Sequence, residues 1–221
     1  ANYVRPKEYE DTFQDWVLNG RSNEFYQKII DCNDGSPTLG SINKSYADLI
    51  LGRGLSFRPT IGGSTKEAQD WAKLKSVLKE SDLKNMITDF QVFGADAKEV
   101  RTNNRNELIE ISHLPKNEVV PSVKDEKGLI KYYWHSKDWK DRYKQENIPV
   151  KYPAFGTNSR SGLEIQVTRP YHVGIDYFET PDWISGLQYA ESEQEIANLY
   201  ANTIKNGLST SFIINVKNAI K

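Results

Sequence analysis

The residues able to do chemistry in this 221-residue chain are few: three histidines, one cysteine and a background of 30 acidic side chains. His113, His135 and His172 are the candidate metal ligands or general bases, but they share neither H-x-H nor H-E-x-x-H spacing. Their positions read as strand and loop histidines. Asp176 and Glu179 are the candidate carboxylate pair, the arrangement used in glycoside hydrolysis, where the separation of the two groups decides the stereochemistry. Cys32 stands alone, which excludes an intramolecular disulfide framework and a cysteine-rich zinc site. It reads as a small buried hydrophobe rather than a nucleophile. "GGSTK", residues 62–66, has the flavour of a phosphate loop but lacks G-x-x-x-x-G-K-[ST] and follows no apolar strand. It is better read as a loop plus a capping box. "GLSTS" follows a helix and is no nucleophile elbow. The expectation is a chain with no catalytic, cofactor-binding or metal site.

Composition sets the frame for these residues. Hydrophobic content of 38% and charged content of 27% belong to a folded chain rather than a disordered one, and a formal charge of -1 does not indicate a basic nucleic-acid binder. No apolar run approaches the length of a membrane span. The start, "ANYVRPKEYED", is polar and unlike a signal peptide; Ala1 in place of Met suggests a trimmed start.

The elements follow from periodicity and punctuation. Residues 12–31 read as helix interrupted at "NGRSN", with Phe13, Trp16, Val17, Phe25, Tyr26, Ile29 and Ile30 on its apolar positions. Ser36 is placed to cap a helix that Pro37 opens, running through Ile42, Tyr46, Leu49 and Ile50 to Gly52 or Gly54. Ser64 and Glu67 form a capping-box pattern before a segment spanning residues 65–90, with a split at Ser81-Asp82. Past Gly94 the pattern turns to strands: a hairpin around "NNRN", a second turning at Lys127-Gly128, and the strand "LEIQVTRPY". "DWKDRYKQENIP" reads as exposed and charged. A last helix spans residues 181–206, with Ile196, Leu199, Tyr200, Thr203 and Ile204 as its stripe, and Gly207 caps it before the strand "STSFIIN". Helices at both ends around antiparallel hairpins make the class α+β, read as a single domain over 1–221 with a hairpin-rich subregion at 101–150.

One aromatic set stands out within that subregion. Tyr132, Tyr133, Trp134, Trp139 and Tyr143 lie beside Lys137, Lys140, Arg142 and Lys144, a composition able to stack nucleic-acid bases. Asp138 and Asp141 dilute the charge, so an edge packing on a neighbouring protein is the preferred reading.

The order of the segments resembles the core of tailed-bacteriophage portal proteins. "VTRPYHVGIDYFETPDWISGLQYAESEQEIANLYANTIKNGLSTSFIIN" is similar to the family's strand, Arg-Pro turn, long helix and Asn-Gly joint. "SPTLGSINKSYADLILGRGLSF", "ITDFQVFGADAKEV" and "HLPKNEVVPSVKDEKGLIKYYW" resemble its upstream segments in the same order, so the resemblance runs from about Trp16 to Asn215. It implies a structural protein of the virion, not an enzyme: a ring, typically of twelve copies, at the vertex of a phage or prophage head. Implied partners are further copies of the chain, double-stranded DNA in the channel, the terminase, and capsid and neck proteins, with assembly in the host cytoplasm and no membrane. The near-neutral charge suits a conduit, because one gripping many phosphates would bind too tightly to let DNA move. Portal chains continue into a kinked helix, a channel loop and a crown, whereas this sequence stops soon after "SFIINVKNAIK". The expectation is therefore a fragment that is a monomer or weak oligomer in dilute solution, with apolar or aromatic surface near Trp134 and Trp139. The alternative from another class is a small hydrolase acting on a sugar or peptide through Asp176 and Glu179 or the histidines. One consequence of the joint is testable: Gly207→Val is expected to lower stability by roughly 1 kcal/mol or more, read as a drop in melting temperature, if Gly207 holds a positive φ.

Overall fold

The computed structural model describes residues 6–59, 65–157 and 162–206. Gly207, the strand expected after it, and Gly62, Gly63 and Ser64 lie outside the described residues. The chain is α+β, with five α-helices and three small antiparallel sheets among the described residues.

The N-terminal region departs from its helical reading. β1 (Glu8–Asp11) and β2 (Trp16–Asn19) form an antiparallel hairpin, Glu8 opposite Asn19 and Asp11 opposite Trp16. Asp11 closes the turn by accepting from the amides of Phe13 and Gln14, at 3.1 and 3.0 Å, and Asp15 takes a left-handed φ of 60°. All four residues of β2 are buried. Val17 enters one cluster with Phe25, Tyr26, Ile29, Phe93 and Phe178, while Trp16 and Leu18 enter another with Val120 and Trp139. A strand buried on both faces carries no polar alternation, so its apolar run is indistinguishable from part of a helix.

The helices follow. α1 (Glu24–Gly35) and α2 (Pro37–Leu51) meet at Ser36, whose hydroxyl accepts from the Leu39 amide as Pro37 opens α2; Gly52 at φ 53° ends it. The segment read as one helix is two, α3 (Thr65–Val77) and α4 (Glu80–Phe93). The break falls at Leu78-Lys79, earlier than Ser81-Asp82, because Leu78 bridges to Ile111 of the neighbouring sheet. Asp82 instead accepts from the His113 amide at 3.0 Å.

The central sheet has the order β4-β3-β8, from β3 (Asp96–Thr102), β4 (Leu108–Leu114) and β8 (Leu163–Thr168). Asn103 shapes the first hairpin by accepting from the amides of Arg105 and Glu107. The third sheet joins β5 (Val119–Pro121), β6 (Tyr132–His135) and β7 (Val150–Pro153) in order, with Asp125 and Gly128 at the turn. Between β6 and β7 the charged segment is not wholly exposed. Trp139 is buried, its ring edge-on to Trp16 at 5.5 Å, and its indole N–H donates to the Glu118 carbonyl. After β8, a 3-10 turn at Asp182–Gly186 leads into α5 (Leu187–Lys205), which packs its first two turns against α1.

Gly94 joins α4 to β3 at a position where a side chain has no room. Its φ is 83°, and a Cβ there would lie 2.6 Å from the Thr180 carbonyl oxygen. Gly94→Ala therefore combines backbone strain with a clash against main chain, and is expected to cost on the order of 3 kcal/mol in urea unfolding.

Candidate functional site

The centre of the molecule is a buried polar contact that three separate parts of the sequence build. Tyr26 comes from α1, Lys116 from the 3-10 turn after β4, and Glu179 from the segment before α5. Lys116 donates to the Tyr26 oxygen at 2.5 Å and pairs with Glu179 Oε1 at 3.0 Å; the Tyr26 hydroxyl donates to the same Oε1 at 2.5 Å. The ammonium also sits 4.7 Å from the centre of the Tyr26 ring, a cation-π contact. Side-chain exposure is 3% for Lys116 and 1% for Glu179. Burial, followed by the charge and hydrogen bond of Glu179, pushes the Tyr26 hydroxyl well above its ordinary pKa, against smaller opposing effects of Asn19 and Arg169.

Each member has its own support. Asp89 Oδ2 accepts from the Lys116 amide and contacts His113 Nε2, both at 2.9 Å. Asn23, left-handed at φ 61°, donates to the Asn117 carbonyl and so ties the start of α1 to the turn that carries Lys116. Glu8 accepts from the amides of Tyr177 and Phe178, at 2.9 and 3.1 Å, which fixes the backbone just before Glu179.

The candidate residues do not come together as a reaction centre in this arrangement. His113 is held by Asp89, His135 by Glu118 at 2.7 Å, and His172 lies in a turn, its carbonyl accepting from Ile175. Among the described residues no group of three or more His, Cys, Asp or Glu is placed to hold a metal ion. Glu179 is enclosed by Lys116 and Tyr26, whereas the Asp176 side chain is 82% exposed. Cys32 is a free, buried thiol whose pKa burial raises, as its small-hydrophobe reading requires. Lys66 lies in α3. The aromatic set is not a stacking platform: Trp134 and Trp139 pack on Trp16, and the Trp134 indole donates to the Asp15 carbonyl at 2.7 Å. Arg142 turns to the Trp139 carbonyl and the Tyr143 hydroxyl, and Lys144 to Asp141. Trp139 is buried and Trp134 half-buried, while Tyr132, Tyr143, Ile148 and Val150 of the same segment stay exposed.

Further apolar surface lies on the helices. The buried face of α2 consists of Asn43 and Ala47, with Gly40 so close to α1 that a Cβ would meet the Asn33 carbonyl at 2.7 Å. The large apolar residues Ile42, Tyr46, Leu49 and Ile50 all point outward, Leu49 76% exposed. α5 repeats the pattern: Leu187 and Ala190 are buried, and every residue from 195 to 206 is exposed, including Ile196, Leu199, Tyr200 and Ile204. Glu193 clamps the two helices together by accepting from Ser36 Oγ and, at 2.7 Å, from Thr38 Oγ1; these bonds hold its carboxyl below the ordinary range. The sequence pattern marked both stripes without indicating whether the chain itself covers them. Lys116 was missed, since a lysine in a Leu-Pro turn carries no signal of burial.

No protein-family model matches the chain, and no curated protein matches it. Among the described residues no helix is long and apolar enough to cross a membrane.

Removing one partner of the central pair leaves a buried charge, at a cost of about 3–5 kcal/mol. Lys116→Met is expected to destabilise by that amount in urea unfolding, and Lys116→Met with Glu179→Leu to recover much of it. The raised Tyr26 pKa adds a pH dependence. The contribution of the protonated hydroxyl is complete below about pH 10, the ordinary tyrosine value. It is lost as pH rises through the raised value, so Tyr26→Phe is expected to flatten the alkaline part of the stability curve.

Proposed function

We propose that this chain is a portal-like structural subunit of a phage or prophage. On this reading it assembles with copies of itself into a ring around double-stranded DNA at the capsid vertex, and has no catalytic centre. The observation that carries the reading is the inside-out patterning of α2: glycine, asparagine and alanine inward, isoleucine, tyrosine and leucine outward. Large exposed apolar faces of this kind belong to interaction surfaces rather than to self-sufficient monomers. The second stripe, on α5, supports it. A helical segment exposed all round, as residues 195–206 are, lacks tertiary packing and gains from being covered. Covering each half-exposed Leu or Ile contributes on the order of 1 kcal/mol, so two stripes together offset much of what association costs.

Terminase, capsid and neck proteins as partners, and the virion as location, rest on the resemblance alone. The hydrolase reading has less to stand on, because Glu179 is enclosed and Asp176 faces solvent.

Light scattering on the chain over a range of concentrations tests the proposal. The expected result is concentration-dependent association toward closed rings. Leu49→Glu with Leu199→Glu is expected to abolish it while shifting stability little, since exposed substitutions change it by about 0.5 kcal/mol. A chain that stays monomeric at high concentration would overturn the reading.

A further inference from the structure

One aromatic side chain stands almost clear of the protein. Phe13, at the tip of the β1–β2 hairpin, is 90% exposed, yet the turn that carries it is fixed from several sides. Asp11 Oδ1 accepts from the amides of Phe13 and Gln14, at 3.1 and 3.0 Å, and Asp15 takes φ 60°. The Trp134 indole donates to the Asp15 carbonyl at 2.7 Å, and Lys151 pairs with the Asp15 carboxylate at 2.6 Å. A bulky ring on a turn already held in place gives up little conformational freedom when it binds, which suits it to act as an anchor.

A hole of matching size lies elsewhere on the surface. Where α3 meets α4, Leu55, Leu74, Leu78 and Leu83 line an apolar pocket of about 150 Å³. A leucine-lined space of about 150 Å³ is the size that takes up one benzene ring. Leu55 and Leu74 are 50% and 40% exposed, so these walls are reached from solvent. Phe13 of the same chain is not the occupant, since it is itself exposed. Charge matches as well as size. Residues 8–15 hold Glu8, Glu10, Asp11 and Asp15 and no lysine or arginine. The pocket lining holds Lys75 and Lys79 against Glu80; Lys75 lies over the Trp71 ring, and Lys79 pairs with Glu110 at 3.1 Å. We propose that the Phe13 ring of one copy inserts into this leucine pocket of a second copy, bringing the acidic hairpin beside Lys75 and Lys79. Knob and hole are different patches, so the contact is heterologous, the kind that builds rings or open filaments. The proposal rests on the reading that copies of this chain associate, and adds a contact that sets their register.

Two experiments on the full chain test it. In the first, the chain with p-azidophenylalanine in place of Phe13 is photolysed as an equal mixture of unlabelled and heavy-isotope-labelled copies. Mass spectrometry is expected to find cross-links to residues 74–83 of the other copy. Cross-links to α2 or α5 instead, cross-links only within one copy, or none at all overturn the proposal. In the second, sedimentation measures the association of Phe13→Ser, of Leu74→Glu and of the two combined. Each single substitution weakens association about tenfold or more, as loss of an anchor or of its pocket does. The combined variant is no weaker than either alone, because both remove the same contact. Unchanged association in Phe13→Ser, or two effects that simply multiply, overturns the proposal. If Leu49→Glu with Leu199→Glu still abolishes association in that case, the portal-like reading stands without this contact. Cross-links to the pocket within open, polydisperse assemblies support the contact and count against a closed ring.

Discussion

The ion pair of Lys116 and Glu179, closed by the Tyr26 hydroxyl, is the contact on which the arrangement of elements depends. It joins residues 90 and 153 positions apart in sequence, so no local preference places it. Two charges removed from water are tolerated only when their mutual geometry is good. That demand reaches outward. Asp89 must hold the turn carrying Lys116, Asn23 must start α1 in a left-handed conformation, and Glu8 must collect the amides before Glu179. The two-faced strand β2 then separates the core around this contact from the tryptophan cluster behind it. A centre of this kind favours one arrangement over near neighbours, because any shift that parts its members leaves a buried charge.

Local chemistry was well written in the chain, and long-range burial was not. Ser36-Pro37, Asn103 and Asp125-Gly128 each act on backbone groups within a few residues, and each does what its type and spacing indicate. The β1–β2 hairpin was hidden because Trp16, Val17 and Leu18 are all buried, on opposite faces and in different clusters. The helix break at Leu78 depends on a bridge to Ile111, a partner that residues 65–90 do not contain.

The stripes on α2 and α5 show a different limit. Periodicity detects a face that is kept apolar, but not whether the chain itself covers it. Ile42, Tyr46, Leu49 and Ile50 have the spacing of a core face, yet the core side of α2 is held by Asn43, which donates to Asn33 and accepts from Gln91. Small and polar residues inside allow close approach to α1, which Gly40 requires. The apolar residues outside keep about half or more of their surface exposed. On the proposed reading a surface contact covers them, and the pattern alone does not distinguish the two cases.

Two stripes on different helices also carry a geometric consequence for the portal-like reading. A single self-complementary patch closes a two-fold dimer, whereas a ring needs two different patches on each subunit, set at an angle that closes. α2 and α5 both pack on α1, and Glu193 clamps the start of α2 to α5 through Ser36 and Thr38. Lys28 of α1 adds an ion pair to Glu191 of α5 at 2.8 Å. The root of α5 is in turn placed by Thr180, against which Gly94 closes, one residue beyond Glu179. These contacts hold the two outward faces relative to one another, and the one at Thr180 adjoins the buried pair. On this reading the number of subunits in a ring is a property of the monomer's interior, and the stripes supply only the adhesion.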